Sequence, residues 1–328
     1  VVESKRQIKT AWWAETRDTI IPLATDPEAL AVNYPLYFVH SISGAGGAEF
    51  TTLAAMLSPE IPFFAFQVPH PERTGGTGQS LIDMATRYRN ALIEYHHAHY
   101  GDTPFYLGGW SAGVMVALEM AQQLTQMGQA PARLVAIDKC PRHTKAEIGP
   151  WNGTPRNVYL WLKRSWRNRT SLGGAIGSLA GKLWLIVRQR QLYGGPDSVY
   201  DSQAVINRIL LGKPADEAAF ISAFYQQTCG YVPQRYAGSA VLVVVSDHGR
   251  RDRVAEGWRY IALDRKIVRL RGTTHKGLVL GEKNDFGPVR RLATVLRREL
   301  ISSASTRPRA RFGLASQSPR WLDQLGGM

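Results

Sequence analysis

Two cysteines in 328 residues, Cys140 and Cys229, are too few for a disulfide framework, so the core must hold the fold. Long apolar runs are also missing. No apolar run reaches the ~18–20 charge-free residues that a membrane-crossing helix needs. The N-terminal VVESKRQIKT lacks the apolar centre of a secretory signal. These absences lead to the expectation of a soluble, cytoplasmic protein. Acidic residues are scarce beside basic ones, 26 against 40, giving a net charge of +14. That balance favours acidic partners. Hydrophobic residues at 44% exclude a wholly disordered chain.

What is present is regular alternation. Leu36–His40, Pro62–Val68, Pro104–Gly109 and Arg133–Asp138 read as buried strands. Helical stretches fall between them at Glu49–Leu57, Leu81–His99 and Ala112–Met127. A β-like piece at Thr19–Leu23 precedes them. The alternation resumes at Ala240–Val245, a helix near Asp252–Trp258, the strand-like Lys266–Leu270 and a helix at about Asp285–Leu300. Strands and helices joined by short connections predict an α/β fold with a mostly parallel sheet flanked by helices.

Three segments stand outside this pattern. Residues 1–18 form a polar extension before a domain spanning 19–300. Residues 141–236 are Trp-rich, basic and helical by composition, and they interrupt the α/β order at the ligand edge of the sheet, where an insertion forms a lid. Residues 301–328 are rich in Ser, Arg, Pro and Gly and read as a disordered basic tail. Charge is concentrated in two of these. Arg142 to Arg190 holds ten basic residues and one acid, Glu147, and the tail after Ser302 holds four arginines and Asp323. Such a field suits a solvated face, an acidic protein partner or, less well, nucleic acid. No nucleic-acid motif accompanies it. Trp151, Trp161, Trp166 and Trp184 offer apolar faces to a pocket, and Gly173, Gly177 and Gly181 share a helix face. Packing of a lid helix comes first, and association with a membrane surface second.

Gly109-Trp110-Ser111-Ala112-Gly113 is a G-x-S-x-G placed after an apolar strand and before a helix. In that context the motif is a nucleophile elbow. The glycines at 109 and 113 let neighbouring backbones pass, and the hydroxyl of Ser111 stands at a helix N-terminus. A serine nucleophile needs a base. Of eight histidines, His275 alone follows the last strand and precedes the last helix, which suits the order Ser, acid, His. The acid has two candidates, each at the end of a strand: Asp138 and Asp247. Oxyanion donors would be the N–H of Ala112 and one from the Ser41–Gly44 loop, with Ile42 first and Ser41 as the fallback. His40 reads as packing or loop support. His96, His97 and His99 lack partners at metal-ligand spacing, so neither a metal nor a cofactor is expected. Cys140 reads as a small buried residue.

Four stretches together resemble the thioesterase domains of polyketide synthases and nonribosomal peptide synthetases, members of the α/β-hydrolase superfamily. They are PLYFVHSISGAGGAEFTTLAAML at Pro35–Leu57, GGWSAGVMVALEMAQQL with the elbow, RLVAIDKCP, and YVPQRYAG at Tyr231–Gly238 followed by Gly272-Thr273-Thr274-His275. The resemblance spans about 19–300. It implies Asp138 as the catalytic acid. It implies a serine thioesterase acting on carrier-protein or coenzyme A-type thioesters, with the acyl group tethered through phosphopantetheine. An acidic acyl carrier protein or synthase module would be the partner of the basic lid. An oxygen-ester or lipid hydrolase with the same triad is the alternative, and a non-catalytic carrier-binding protein comes third. No carrier-protein signature precedes the domain in these residues, so a free-standing or separated thioesterase is expected.

Overall fold

A computed structural model describes residues 18–25, 33–69, 80–139, 210, 213–245, 251–259, 261–282 and 285–304. Within them the chain runs β1 (Ile20–Ala24), β2 (Leu36–Val39), α1 (Gly46–Leu57), β3 (Phe63–Phe66), α2 (Leu81–Tyr100), β4 (Tyr106–Trp110), α3 (Gly113–Gln126) and β5 (Arg133–Ile137). After the insertion come α4 (Ala215–Gly230), β6 (Ala240–Val245), α5 (Arg251–Trp258), β7 (Arg265–Leu270), α6 (Gly277–Leu280) and α7 (Gly287–Ala304). The strands form one sheet in the order β1-β3-β2-β4-β5-β6-β7. Only β1 runs antiparallel, against β3.

Central strands buried on both faces need apolar side chains at every position. LYFV, FFAF and AVLVVV supply them without a break. Alternate residues then sort to opposite layers. Tyr37, Val39, Phe64 and Phe66 join one core with α2 and α3, whereas Leu36, Phe38, Phe63 and Ala65 join the other with α1 and α7. Helix α2 begins cleanly because Ser80 and Asp83 form a capping box, each side chain accepting the other's backbone N–H.

Helix α1 starts at Gly46, three residues before the helical pattern was legible. A Cβ at Gly46 would overlap the Phe66 carbonyl oxygen, so only glycine lets this first turn lie against β3. The four-residue helix α6 and the extension of α7 to Ala304 were not evident from the sequence. Of the insertion, residue 210 and residues 213–236, which include α4, are described. The tryptophans and glycines at 151–184, most of the tail, Cys140 and Asp247 lie outside the described residues.

The parallel order turns around at β2, whose neighbours are β3 on one side and β4 on the other. Segments leaving the carboxyl ends of β2 and β4 therefore diverge and leave a crevice there, the usual ligand position in open α/β sheets.

Candidate active site

The register brings the key residues to one edge. Val39 pairs with Gly109, Trp110 with Ile137, and Ile137 with Val243. Ser111 and Asp138 are thus the first residues beyond two adjacent strand ends. Each still donates one ladder bond, Ser111 N to the Ile137 carbonyl (3.4 Å) and Asp138 N to the Val243 carbonyl (2.7 Å). Both are non-glycine residues at positive φ, +54° for Ser111 and +49° for Asp138. A left-handed conformation is unfavourable for such residues, and these two are the described non-glycine cases, side by side at one crevice.

The elbow glycines have a steric reason. A Cβ at Gly113 would lie 2.5 Å from the Val39 carbonyl oxygen and would overlap that of His40. A Cβ at Gly109 would fall 2.8 Å from Val114 N and collide with the Gly113 carbonyl. The turn is therefore pressed against both β2 and its own following helix.

His275 follows β7 and reaches across to β5. Its Nδ1 lies 2.9 Å from Asp138 Oδ2. The other oxygen, Oδ1, accepts the backbone N–H of Val245 at the end of β6, also at 2.9 Å. Asp138 is thereby held at both oxygens and is only 13% exposed, whereas His275 is 36% exposed. Of the two acid candidates, Asp138 is the one that the described structure brings to His275. The loop carrying His275 is pinned by Glu282, whose Oε1 accepts both the N–H (2.8 Å) and the hydroxyl (2.7 Å) of Thr274. Those two hydrogen bonds hold the Glu282 carboxyl below its ordinary value.

Trp110, the variable residue before Ser111, is buried and stacks on His275, with ring centroids 5.4 Å apart and planes at 29°. The indole face packs along one side of the imidazole and restricts its orientation. The sequence marks Trp110 only as apolar, and its partner lies 165 residues away.

The Ser41–Ala45 loop is an ordered network. Ser41 N donates to Glu49 Oε2 (2.7 Å), and the hydroxyls of Ser41 and Ser43 both donate to Glu49 Oε1. Ser41 N–H, the fallback oxyanion donor, is thus engaged by Glu49. Burial pushes the Glu49 carboxyl up, against the hydrogen bonds from Ser41 and Ser43 and the charge of Lys213. His40 is buried, its Nδ1 2.6 Å from the Ser41 carbonyl and its Nε2 2.7 Å from the Tyr88 hydroxyl. That fits loop support. His96 is likewise buried, bridging Tyr37 (3.0 Å) and the Thr103 carbonyl (2.7 Å). Burial lowers its pKa, against the hydrogen bond to the Thr103 carbonyl.

Helix α4 sits on this loop. The Phe220 ring covers Gly44, whose φ is +75°, and the Phe224 ring meets His40 at 5.8 Å. The Tyr231–Gly238 segment is tied to α3: Tyr231 donates to Glu119 (2.8 Å), and Gln122 Nε2 donates to the Gln234 carbonyl (2.5 Å).

Comparison with known proteins agrees with this architecture. The thioesterase domain of NocB, from the nocardicin cluster, superposes with a TM-score of 0.54 at 22% identity, over 87% of this chain and 99% of that one. A four-domain nonribosomal peptide synthetase, solved with AMP and glycine, gives 0.53 at 21% identity over 91% of this chain and 21% of that one. The fold is that of an α/β-hydrolase. Residues 34–162, from just before β2 through the elbow to beyond Asp138, match the family model described as thioesterase domain. The likeness to thioesterase domains thus covers the β2-to-β5 part of the sheet with the elbow, on an α/β-hydrolase fold. The chain's curated relatives include an atromentin synthetase from Tapinella panuoides, 29% identical over 152 residues, covering 45% of this chain and 15% of that protein. A non-reducing polyketide synthase from Aspergillus oryzae is 24% identical over 278 residues, covering 80% of this chain and 11% of that protein. The chain therefore spans under a sixth of the length of these relatives.

Proposed function

We propose that the protein releases acyl groups from carrier-protein or coenzyme A-type thioesters through an acyl-serine intermediate, in polyketide or nonribosomal peptide metabolism. The observation that carries this reading is the 2.9 Å hydrogen bond between His275 and Asp138, beside a strained elbow serine on a thioesterase-family segment. Asp138 accepts Nδ1–H of His275, which leaves Nε2 as the base. Nε2 removes the Ser111 proton, and Ser111 Oγ attacks the thioester carbonyl. The tetrahedral oxyanion is received by the N–H groups of Ala112 and Ile42. The imidazolium forms over the Trp110 face and returns its proton to the departing thiol. Water, or a hydroxyl or amine of the acyl chain, then resolves the acyl-enzyme by the same route. The basic insertion suits an acidic carrier protein that presents a phosphopantetheine-tethered substrate, with an on-rate that falls as salt rises.

Intact-mass measurement after brief exposure to a panel of acyl thioesters tests the reading, with Ser111→Ala and the matching oxygen esters alongside. An acyl adduct and released thiol in the wild type, both absent in the variant, are expected. Adducts from the esters alone would make the protein an ester hydrolase. No adduct from either set would refute covalent serine catalysis.

A further inference from the structure

We propose that Glu49 is a positioning residue which, through Ser41 and Ser43, leaves the Ile42 N–H as the one donor of its loop free to meet an oxyanion. This rests on the serine mechanism proposed above. An oxyanion donor must be fixed in direction and must not be spent on an internal acceptor. A short loop tends to violate the second condition, because its N–H groups turn toward the nearest carbonyls.

Here each competing N–H has a partner. Ser41 N donates to Glu49 Oε2 at 2.7 Å. Ser43 N donates to Ser41 Oγ at 3.3 Å, and Ala45 N donates to Ser43 Oγ at 3.0 Å. Gly44 N donates to the Ser41 carbonyl at 3.3 Å. Each serine hydroxyl accepts a backbone N–H and donates its own hydrogen bond to Glu49 Oε1. The carboxylate therefore organises three residues through both oxygens, two of them by hydroxyl relays. Of the five residues 41–45, Ile42 is the one whose N–H has no acceptor among the described residues. Glu49 is itself fixed, since it lies in the first turn of α1, which the fit of Gly46 against β3 locks in place. From the other side the Ser41 carbonyl faces His40 Nδ1, and Val68 N holds the Gly44 carbonyl at 2.9 Å.

The chemistry separates two substitutions. Glutamine keeps a carbonyl oxygen for Ser41 N–H, and its amide protons are received by hydroxyls that each have a second lone pair. Alanine leaves the Ser41 N–H and two hydroxyls without their acceptor in a buried position, and the loop must turn to satisfy them.

The test is the rate of Ser111 phosphonylation by a fluorophosphonate, followed by intact mass at several reagent concentrations so that the limiting rate separates from reagent binding. Glu49→Ala should lower the limiting rate by roughly 10- to 100-fold, short of the ~10²–10³ for outright loss of one oxyanion donor. Its apparent binding constant should stay within about twofold, and Glu49→Gln should stay within a few-fold of wild type on both. Ser43→Ala, which breaks one relay and leaves the carboxylate in place, should fall in between. It also tests the inference should Glu49→Ala fail to fold. Equal limiting rates in wild type, Glu49→Ala and Ser43→Ala would overturn this inference and leave the serine mechanism standing. A wild type that is not labelled at Ser111 would overturn both.

Discussion

Replacing Asp138 with Asn tests the assignment of the acid, because the structure dictates which way the amide must point. The position has φ +49°, which Asn tolerates well. Oδ1 accepts the Val245 N–H, and Oδ2 faces His275 Nδ1. Asn has one acceptor and one donor end. Turning the donor toward Val245 sets two N–H groups against each other in a half-buried place, at about 1–3 kcal/mol. The acceptor therefore stays on Val245, and the amide N–H faces His275. Nδ1 must then accept, so the ring carries its proton on Nε2 and cannot take one from Ser111. Recovering the working tautomer requires that same 1–3 kcal/mol. The imidazolium also loses a charge-assisted hydrogen bond of about 1.5–3 kcal/mol. Together these slow turnover by roughly 10²- to 10⁴-fold. Steady-state hydrolysis of the best acyl thioester measures it, with thermal melts run in parallel. The reasoning requires Tm to change by only a few degrees while kcat falls. A variant retaining a tenth of wild-type kcat would refute it, and so would a comparable loss with Asp247→Asn while Asp138→Asn stayed active.

Two further outcomes follow from the surroundings. Gly113→Ala forces a Cβ against the Val39 and His40 carbonyls, which are main chain and cannot rotate away. It should destabilise by about 3 kcal/mol, lowering Tm by roughly 5–10 °C in thermal denaturation, and an unchanged Tm would contradict the packing described. Glu282 is held below its ordinary value of 4.5 by Thr274, so its stabilising contribution is present above that value and is lost as pH falls through the lowered one. The Tm difference between wild type and Glu282→Gln should thus be constant above about pH 5 and shrink toward zero in stronger acid. A difference that grew with acidity would reverse the sign of this argument.

The parts of the fold visible in the sequence were those set by periodicity. Unbroken apolar runs such as AVLVVV must be buried on both faces, so their strands and parallel pairing could be read directly. The candidacy of Ser111 and His275 came from local signatures, the elbow glycines and the position after the last strand. Between Asp138 and Asp247 the strand pattern did not choose, and only the likeness of RLVAIDKCP to thioesterase domains favoured Asp138. In the structure the register β4-β5 and the reach of His275 bring Asp138 to the imidazole, and Asp247 lies outside the described residues. Glu49 was hidden for a different reason. It reads as an ordinary acidic residue early in a helix, and its role depends on a loop that folds back eight residues to meet it. Trp110 carried no sign of a partner, since residues 110 and 275 become neighbours only when β4, β5, β6 and β7 assemble into the sheet.

The seating of α4 on the Ser41–Ala45 loop bears on attempts to re-engineer this enzyme. Phe220 rests on Gly44 and Phe224 on His40, so α4 is also the roof of the loop that carries Ile42. An insertion transplanted from a relative without aromatic residues at positions 220 and 224 would leave that roof incomplete. Chimaeras cut at the ends of the insertion would then alter selectivity and rate together. Grafts that exchange the insertion with its matching loop and first helix as one cassette would keep the two properties separable.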